Sequence, residues 1–170
     1  MEYKTGYILE TYTPLGLNPM SWLSNLIRFF CKTKYSHTGI IIMNWDIPFI
    51  NEAVGKGVIA SPLMDKYKGH NVRISSIEHN LEERYIAQRA NSKIGITGYD
   101  FSGLLWYQFV YKVTGHWFGF TTEARASERF YCYEYCGYVY HTLFPEWYKL
   151  EPKAMNESAL RKTLFEGKLL

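Results

Sequence analysis

An α+β domain, with an antiparallel sheet flanked by helices, is what this sequence predicts, on three observations. Short β-branched and aromatic runs recur through the first half of the chain, and those between residues 35 and 61 are separated by turns too short to hold crossover helices. Apolar residues fall at helical spacing in three stretches, beginning near Asn18, Asp100 and Phe130. Finally, 170 residues with 47% hydrophobic and 21% charged side chains are enough for one domain that buries a core without disulfides or metals.

Tyr7-Ile8-Leu9-Glu10-Thr11-Tyr12 reads as a first strand, ended by Pro14 and Gly16. Asn18-Pro19 supplies an N-cap and a first-turn proline for a helix through about Cys31. Trp22, Leu23, Leu26, Ile27 and Phe30 predict that this helix turns an apolar face to the core. Its polar face carries little basic charge, which argues against a membrane-surface helix, though Arg28 and Phe29 leave that second reading open. Tyr35 to Met43 is a buried-type strand with His37 at its entrance. A turn around Asn44-Trp45-Asp46 leads to a strand over Phe49–Val54, and Gly55-Lys56-Gly57 turns the chain into Val58–Ser61, which together make a meander. Asn71 to Ile77 alternates as a further strand. A polar helix from His79 to Ser92 follows, with Leu81, Tyr85, Ile86 and Ala90 on one side. Gly95 and Gly98 break it, and Asp100 caps a strongly apolar helix from Phe101 to about Lys112. Thr114 to Phe120 is a glycine-spaced aromatic loop that either lines a pocket or tucks into the core. Phe130 to His141 is a mostly apolar helix, and Ser158 to Phe165 a short one.

The composition narrows the function classes. Net charge is +3 and the basic residues are scattered, with no zinc-finger or RNA-binding signature, so nucleic acid is not an expected partner. Aromatic residues make up 18% of the chain, enough to line grooves as well as a core. Three cysteines, two of them four residues apart, do not form a disulfide framework and fit a reducing compartment. Met1-Glu2-Tyr3-Lys4 lacks the apolar core of a signal peptide, and no run of about 18 apolar residues could span a membrane. A cytoplasmic location without a transmembrane span is therefore expected.

Chemistry concentrates at Cys132. It falls in the first turn of its helix, where free backbone amides and the positive end of the dipole favour a thiolate, which makes it the candidate nucleophile. A helical wheel puts Cys132, Tyr135, Cys136 and Val139 on one buried stripe, with Cys132 at the open end and Cys136 a packing residue. Glu52 shares a strand face with Ile50 and Val54, so period-2 logic points its carboxylate inward, where it needs a partner. His37 on the preceding strand could be that partner. A thiol, an imidazole and an orienting carboxylate are the parts of a cysteine hydrolase, although a buried histidine–glutamate pair can also be purely structural. Zinc binding through Cys132, Cys136 and His141 fails, because His141 lies about 180° round the helix from Cys132, and no metal or cofactor is expected.

At these residues the chain resembles the circularly permuted branch of the NlpC-type papain-like cysteine hydrolases, often called YiiX-like. The matching pieces are Gly6-Tyr7-Ile8-Leu9, Ser36-His37-Thr38-Gly39-Ile40, Glu52-Ala53, Tyr99-Asp100 and Tyr131-Cys132-Tyr133-Glu134, in that order and over nearly the whole chain. The histidine precedes the cysteine, as in the permuted branch. The resemblance implies a permuted papain-like fold, its antiparallel, barrel-like sheet packed against helices that include the cysteine helix. It also implies Cys132 as nucleophile, His37 as general base, Glu52 as the orienting residue and the Cys132 N–H as an oxyanion donor. Glu134 and Ser36 become supporting residues around the triad, and Tyr99-Asp100 become structural. Tyr133 departs from the small residue usual after the cysteine, and as a substrate-binding residue it would narrow the pocket or alter the substrate. The implied reaction is acyl transfer through a thioester on a small peptide, amide or acyl substrate. Trp106, Trp117, Phe118 and Phe120 would suit an apolar acyl chain or a capped peptide.

Two other readings stay open. An acyltransferase or phospholipase-type enzyme uses the same arrangement, and a non-catalytic ligand-binding module would keep the fold with an inert Cys132. Peripheral contact with a membrane is compatible with each.

Overall fold

The computed structural model describes residues 2–31, 34–75, 82–101, 113–114 and 129–141. Its elements in chain order are β1 (Ile8–Thr11), α1 (Pro19–Cys31), β2 (His37–Asn44), β3 (Ile47–Val54), β4 (Gly57–Pro62), α2 (Leu63–Tyr67), β5 (Val72–Ser75), α3 (Glu83–Asn91), β6 (Gly98–Tyr99), β7 (Arg129–Phe130) and α4 (Cys132–His141). The first five strands form one antiparallel sheet in the order β4-β3-β2-β1-β5. The expected meander is β2-β3-β4, with Trp45 at positive φ in its first turn.

Alternation along the strands divides the core between the two faces of the sheet. Ile8, Ile40, Ile42, Ala53 and Val58 pack with Cys136, Val139 and Tyr140 of α4, while Leu9, Ile41 and Ile50 pack with Leu63 of α2. Ile8, Leu9, Ile40, Ile41 and Ile50 are fully buried, each worth about 1.5–3 kcal/mol relative to an exposed side chain. Two tyrosines pin α4 from its buried face: the Tyr135 hydroxyl donates to the Ala90 carbonyl at 2.8 Å and Tyr140 to that of Gly6 at 2.6 Å.

Helix α1 has the expected bounds and cap, with Asn18 Oδ1 accepting from the Ser21 N–H at 2.7 Å. It does not bury the expected face. Trp22 is 63% exposed and Leu26 46%, whereas Ser21 and Ser24 are buried. The reason lies in the loop before the helix, whose backbone polar groups need partners. Ser24 Oγ accepts from the Thr13 N–H, Ser21 Oγ bonds the Gly16 backbone, and Asn25 donates to the Thr13 carbonyl. The Arg28 guanidinium lies 4.3 Å over the Tyr12 ring. Hydrogen bonding, rather than apolar burial, therefore sets the inner face. Leu23 and Ile27, at its margin, remain half-buried.

Helix α3 is Glu83–Asn91, preceded by an extended Glu82 (φ −66°, ψ 129°), and the first part of the expected helix, His79 to Leu81, lies outside the described residues. Ile86 and Ala90 are buried as expected, but Tyr85 is exposed. Short helix α2, which follows Pro62 directly, has no counterpart in the sequence reading. Tyr99 lies in β6, and Phe101 is helical directly after Asp100. The rest of the apolar helix expected over 101–112, most of the aromatic loop 114–120 and the helix over 158–165 fall outside the described residues, and Trp106, Trp117, Phe118 and Phe120 with them.

Candidate active site

The histidine and the glutamate meet because of strand register. Ile40 pairs with Asn51 across β2 and β3. One step further the ladder brings Gly39 opposite Glu52, so His37 lies diagonally from Glu52 on the same face, within reach of a long side chain. Gly39 leaves that face open: a Cβ there would sit 2.7 Å from Ile50 Cδ1. His37 Nε2 stands 2.5 Å from Glu52 Oε2.

Glu52 is fully buried, as its position on β3 predicts, and α2 completes its surroundings. Tyr67 donates its hydroxyl to Oε2 at 2.6 Å, and Lys66 Nζ lies 2.5 Å from Oε1. Burial opposes the charge, but His37, Lys66 and Tyr67 outweigh it and hold the carboxyl at about 2. The same burial, with the Glu52 charge, pushes the Tyr67 phenol upward, so it remains a donor.

Cys132 is the first residue of α4. Glu134 caps this helix by accepting from the Tyr131 N–H at 3.3 Å, the reach-back of a capping box. The Cys132 thiol donates toward the Ser36 carbonyl at 3.8 Å. The His37 imidazole also interacts electrostatically with the thiol. With Nε2 turned to Glu52, Nδ1 is the nitrogen left to face the sulfur. Burial draws the His37 pKa down, but the ring's interactions with Cys132 and Glu52 prevail and raise it to about 10. The structure thus brings Cys132, His37 and Glu52 together in one chain of contacts.

A fourth residue joins them. Tyr99 lies within electrostatic reach of Cys132, and burial together with the sulfur's charge pushes its phenol upward, so it stays protonated. It arrives there through a two-residue parallel bridge, in which Gly98 pairs with Arg129 and Tyr99 with Phe130, and the Asp100 N–H donates to the Phe130 carbonyl at 3.2 Å. Gly57, at φ +106°, lets the segment before Tyr99 press onto β4, since any Cβ there would collide with the Thr97 carbonyl. The Tyr99-Asp100 match was the one signal in the sequence. Lys66 and Tyr67 carried none.

A cavity of about 450 Å³ opens on these groups, lined by His37, Glu52, Lys66, Tyr67 and Tyr99, with Leu23 and Ile27 of α1 also in its wall. His37 is 22% exposed to it. Cys132 is not at an open end: it is 1% exposed, beneath Ser36, His37 and Tyr99. Tyr133 does not narrow the cavity either. It is buried, with its hydroxyl 3.4 Å from Glu10, the carboxylate that pairs with Arg73. Ser36 links elements at the cavity wall, its hydroxyl 2.6 Å from that of Ser24 on α1. Cys136 is buried against Thr38 and its thiol is pushed upward by burial.

Sheet, helices and site together define an α+β protein of the YiiX-type fold. Metalloprotein YiiX from Escherichia coli O157:H7, a DUF1105 protein, is similar at a TM-score of 0.60 and 21% sequence identity, over 98% of this chain and 85% of that one. No family model matches the chain. No curated protein matches it either. Although that neighbour is described as a metalloprotein, no group of three or more His, Cys, Asp or Glu among the described residues is placed to hold a metal ion. Likewise, no helix among them is long and apolar enough to cross a membrane.

Proposed function

We propose that the chain is a thiol hydrolase of the amidase or peptidase type, from the permuted YiiX-like branch of the NlpC-type papain-like enzymes. The observation that carries this reading is the imidazole of His37, held 2.5 Å from Glu52 and coupled electrostatically to the Cys132 thiol. In this reading the pair works as thiolate and imidazolium. Sulfur attacks the acyl carbon of a small peptide, amide or acyl substrate and forms a C–S bond. His37 protonates the departing amine or alcohol as its bond to carbon breaks, and water, deprotonated by His37, then hydrolyses the thioester. The Cys132 N–H lies in the first turn, where no helical carbonyl accepts it, and the Tyr99 hydroxyl already lies within reach of the sulfur; these two donors serve the oxyanion.

The burial of Cys132 favours a second reading, a ligand-binding module that has kept the fold. Iodoacetamide alkylation followed across pH, with each cysteine quantified by peptide mass mapping, separates the two. A hydrolase alkylates rapidly at Cys132 well below the ordinary thiol range near pH 8.5 and loses this in His37→Ala. It also turns over an activated ester or amide that Cys132→Ala leaves intact. An inert Cys132 in the native protein, or turnover that survives Cys132→Ala, overturns the hydrolase.

A further inference from the structure

We propose that the outward face of α1 and the loop before it dock the protein onto an anionic lipid surface. Helix α1 is inverted relative to an ordinary surface helix: its serines, Asn25 and Arg28 hold it to the protein through polar contacts, and large apolar side chains point out. Leu15 is 67% exposed, Leu17 fully so, and Trp22 and Leu26 follow on the outer stripe of the helix. Single exposed apolar residues are ordinary on a protein surface, but four within twelve consecutive residues require a partner surface.

Charge decides which partner. From Thr11 to Trp45 the sequence has no aspartate or glutamate, while Lys32 and Lys34 follow the apolar stripe. Lys34 is exposed. A second copy of this chain would set the same cations against one another. A bilayer with anionic headgroups instead receives both components, apolar side chains with a tryptophan at the interface and the exposed Lys34 at the headgroups. The same helix contributes Leu23 and Ile27 to the wall of the cavity, so a docked α1 holds that cavity beside the lipid. Docking does not depend on turnover at Cys132.

The experiment is sedimentation of the full chain with vesicles of phosphatidylcholine alone and of phosphatidylcholine containing phosphatidylglycerol. The protein is expected to pellet with the anionic vesicles, to be released by salt, and to lose about tenfold or more of its binding in the Trp22→Gln/Leu26→Gln variant. Lys34→Glu weakens binding without touching the apolar stripe, and Cys132→Ala binds as the unaltered chain does. Circular dichroism confirms that each variant is folded. Absence of pelleting, equal pelleting with both vesicle types, or undiminished binding by the folded double variant overturns the proposal. So does a dimer in light scattering that the double variant abolishes while no vesicle is bound. Failure with normal Cys132 alkylation removes the docking face and leaves the hydrolase reading standing.

Discussion

Lys66 Nζ lies 2.5 Å from Glu52 Oε1, on the carboxylate oxygen that His37 does not use. Glu52 therefore serves two cations at once. Lys66 helps to keep the carboxyl ionised, so Lys66→Met is expected to raise the Glu52 pKa from about 2 toward its ordinary 4.5. Acid unfolding of this variant, followed by tryptophan fluorescence, should begin at higher pH than in the unaltered chain. Alkylation of Cys132 at neutral pH should be preserved, because the contact between His37 and Glu52 remains.

Glu52→Gln should show the larger effect. A carboxyl held below its unfolded value contributes stability that is present above pH 4.5 and disappears as pH falls through about 2. The variant is expected to lose about 3 kcal/mol or more at pH 7, the cost of breaking a buried pair. Its stability should also change less between pH 4.5 and 2. Urea denaturation at several pH values measures both effects.

The histidine predicts the opposite limb. Its pKa is raised from 6.5 to about 10, so its contribution is complete below pH 6.5 and is lost as pH rises through 10. Stability should decline over that window, and ester turnover should fall near its upper end as the imidazolium proton is lost. His37→Gln should flatten the alkaline limb of the denaturation profile.

Tyr99→Phe tests the oxyanion assignment. Loss of one such donor typically lowers kcat by about 10²–10³-fold. Alkylation of Cys132, which develops no oxyanion, should stay within a few-fold of the unaltered rate. Equal losses in both assays would mean that Tyr99 positions the sulfur instead.

The parts of this site that were legible in sequence are those set by local periodicity. Alternation along β3 turned Glu52 inward, the run of β-branched residues placed His37 at a strand entrance, and the helix after Phe130 put Cys132 in its first turn. Tyr99, expected to be structural, comes beside Cys132 by pairing with Phe130, thirty-one residues later, which no local pattern encodes. Lys66 and Tyr67 lie on a five-residue helix, too short for periodicity to show. For α1 the period and the bounds were right and the direction was wrong. Helical spacing identifies a stripe, but the backbone groups of residues 13 to 16, which Ser21, Ser24 and Asn25 satisfy, decide which side turns inward.

His37 and Glu52 are fifteen residues apart on adjacent strands, whereas the sulfur reaches the Ser36 carbonyl across ninety-six residues of chain. On a ribosome adding about 5–20 residues per second, the histidine and glutamate are both in the chain some 4–16 s before Cys132 is bonded to it. Throughout that interval the growing polypeptide holds His37 and Glu52 without the thiol. Docking of α4 on the finished sheet is the event that brings them together, so the order of synthesis delays the Cys132 contacts until the surface that encloses the thiol has been made.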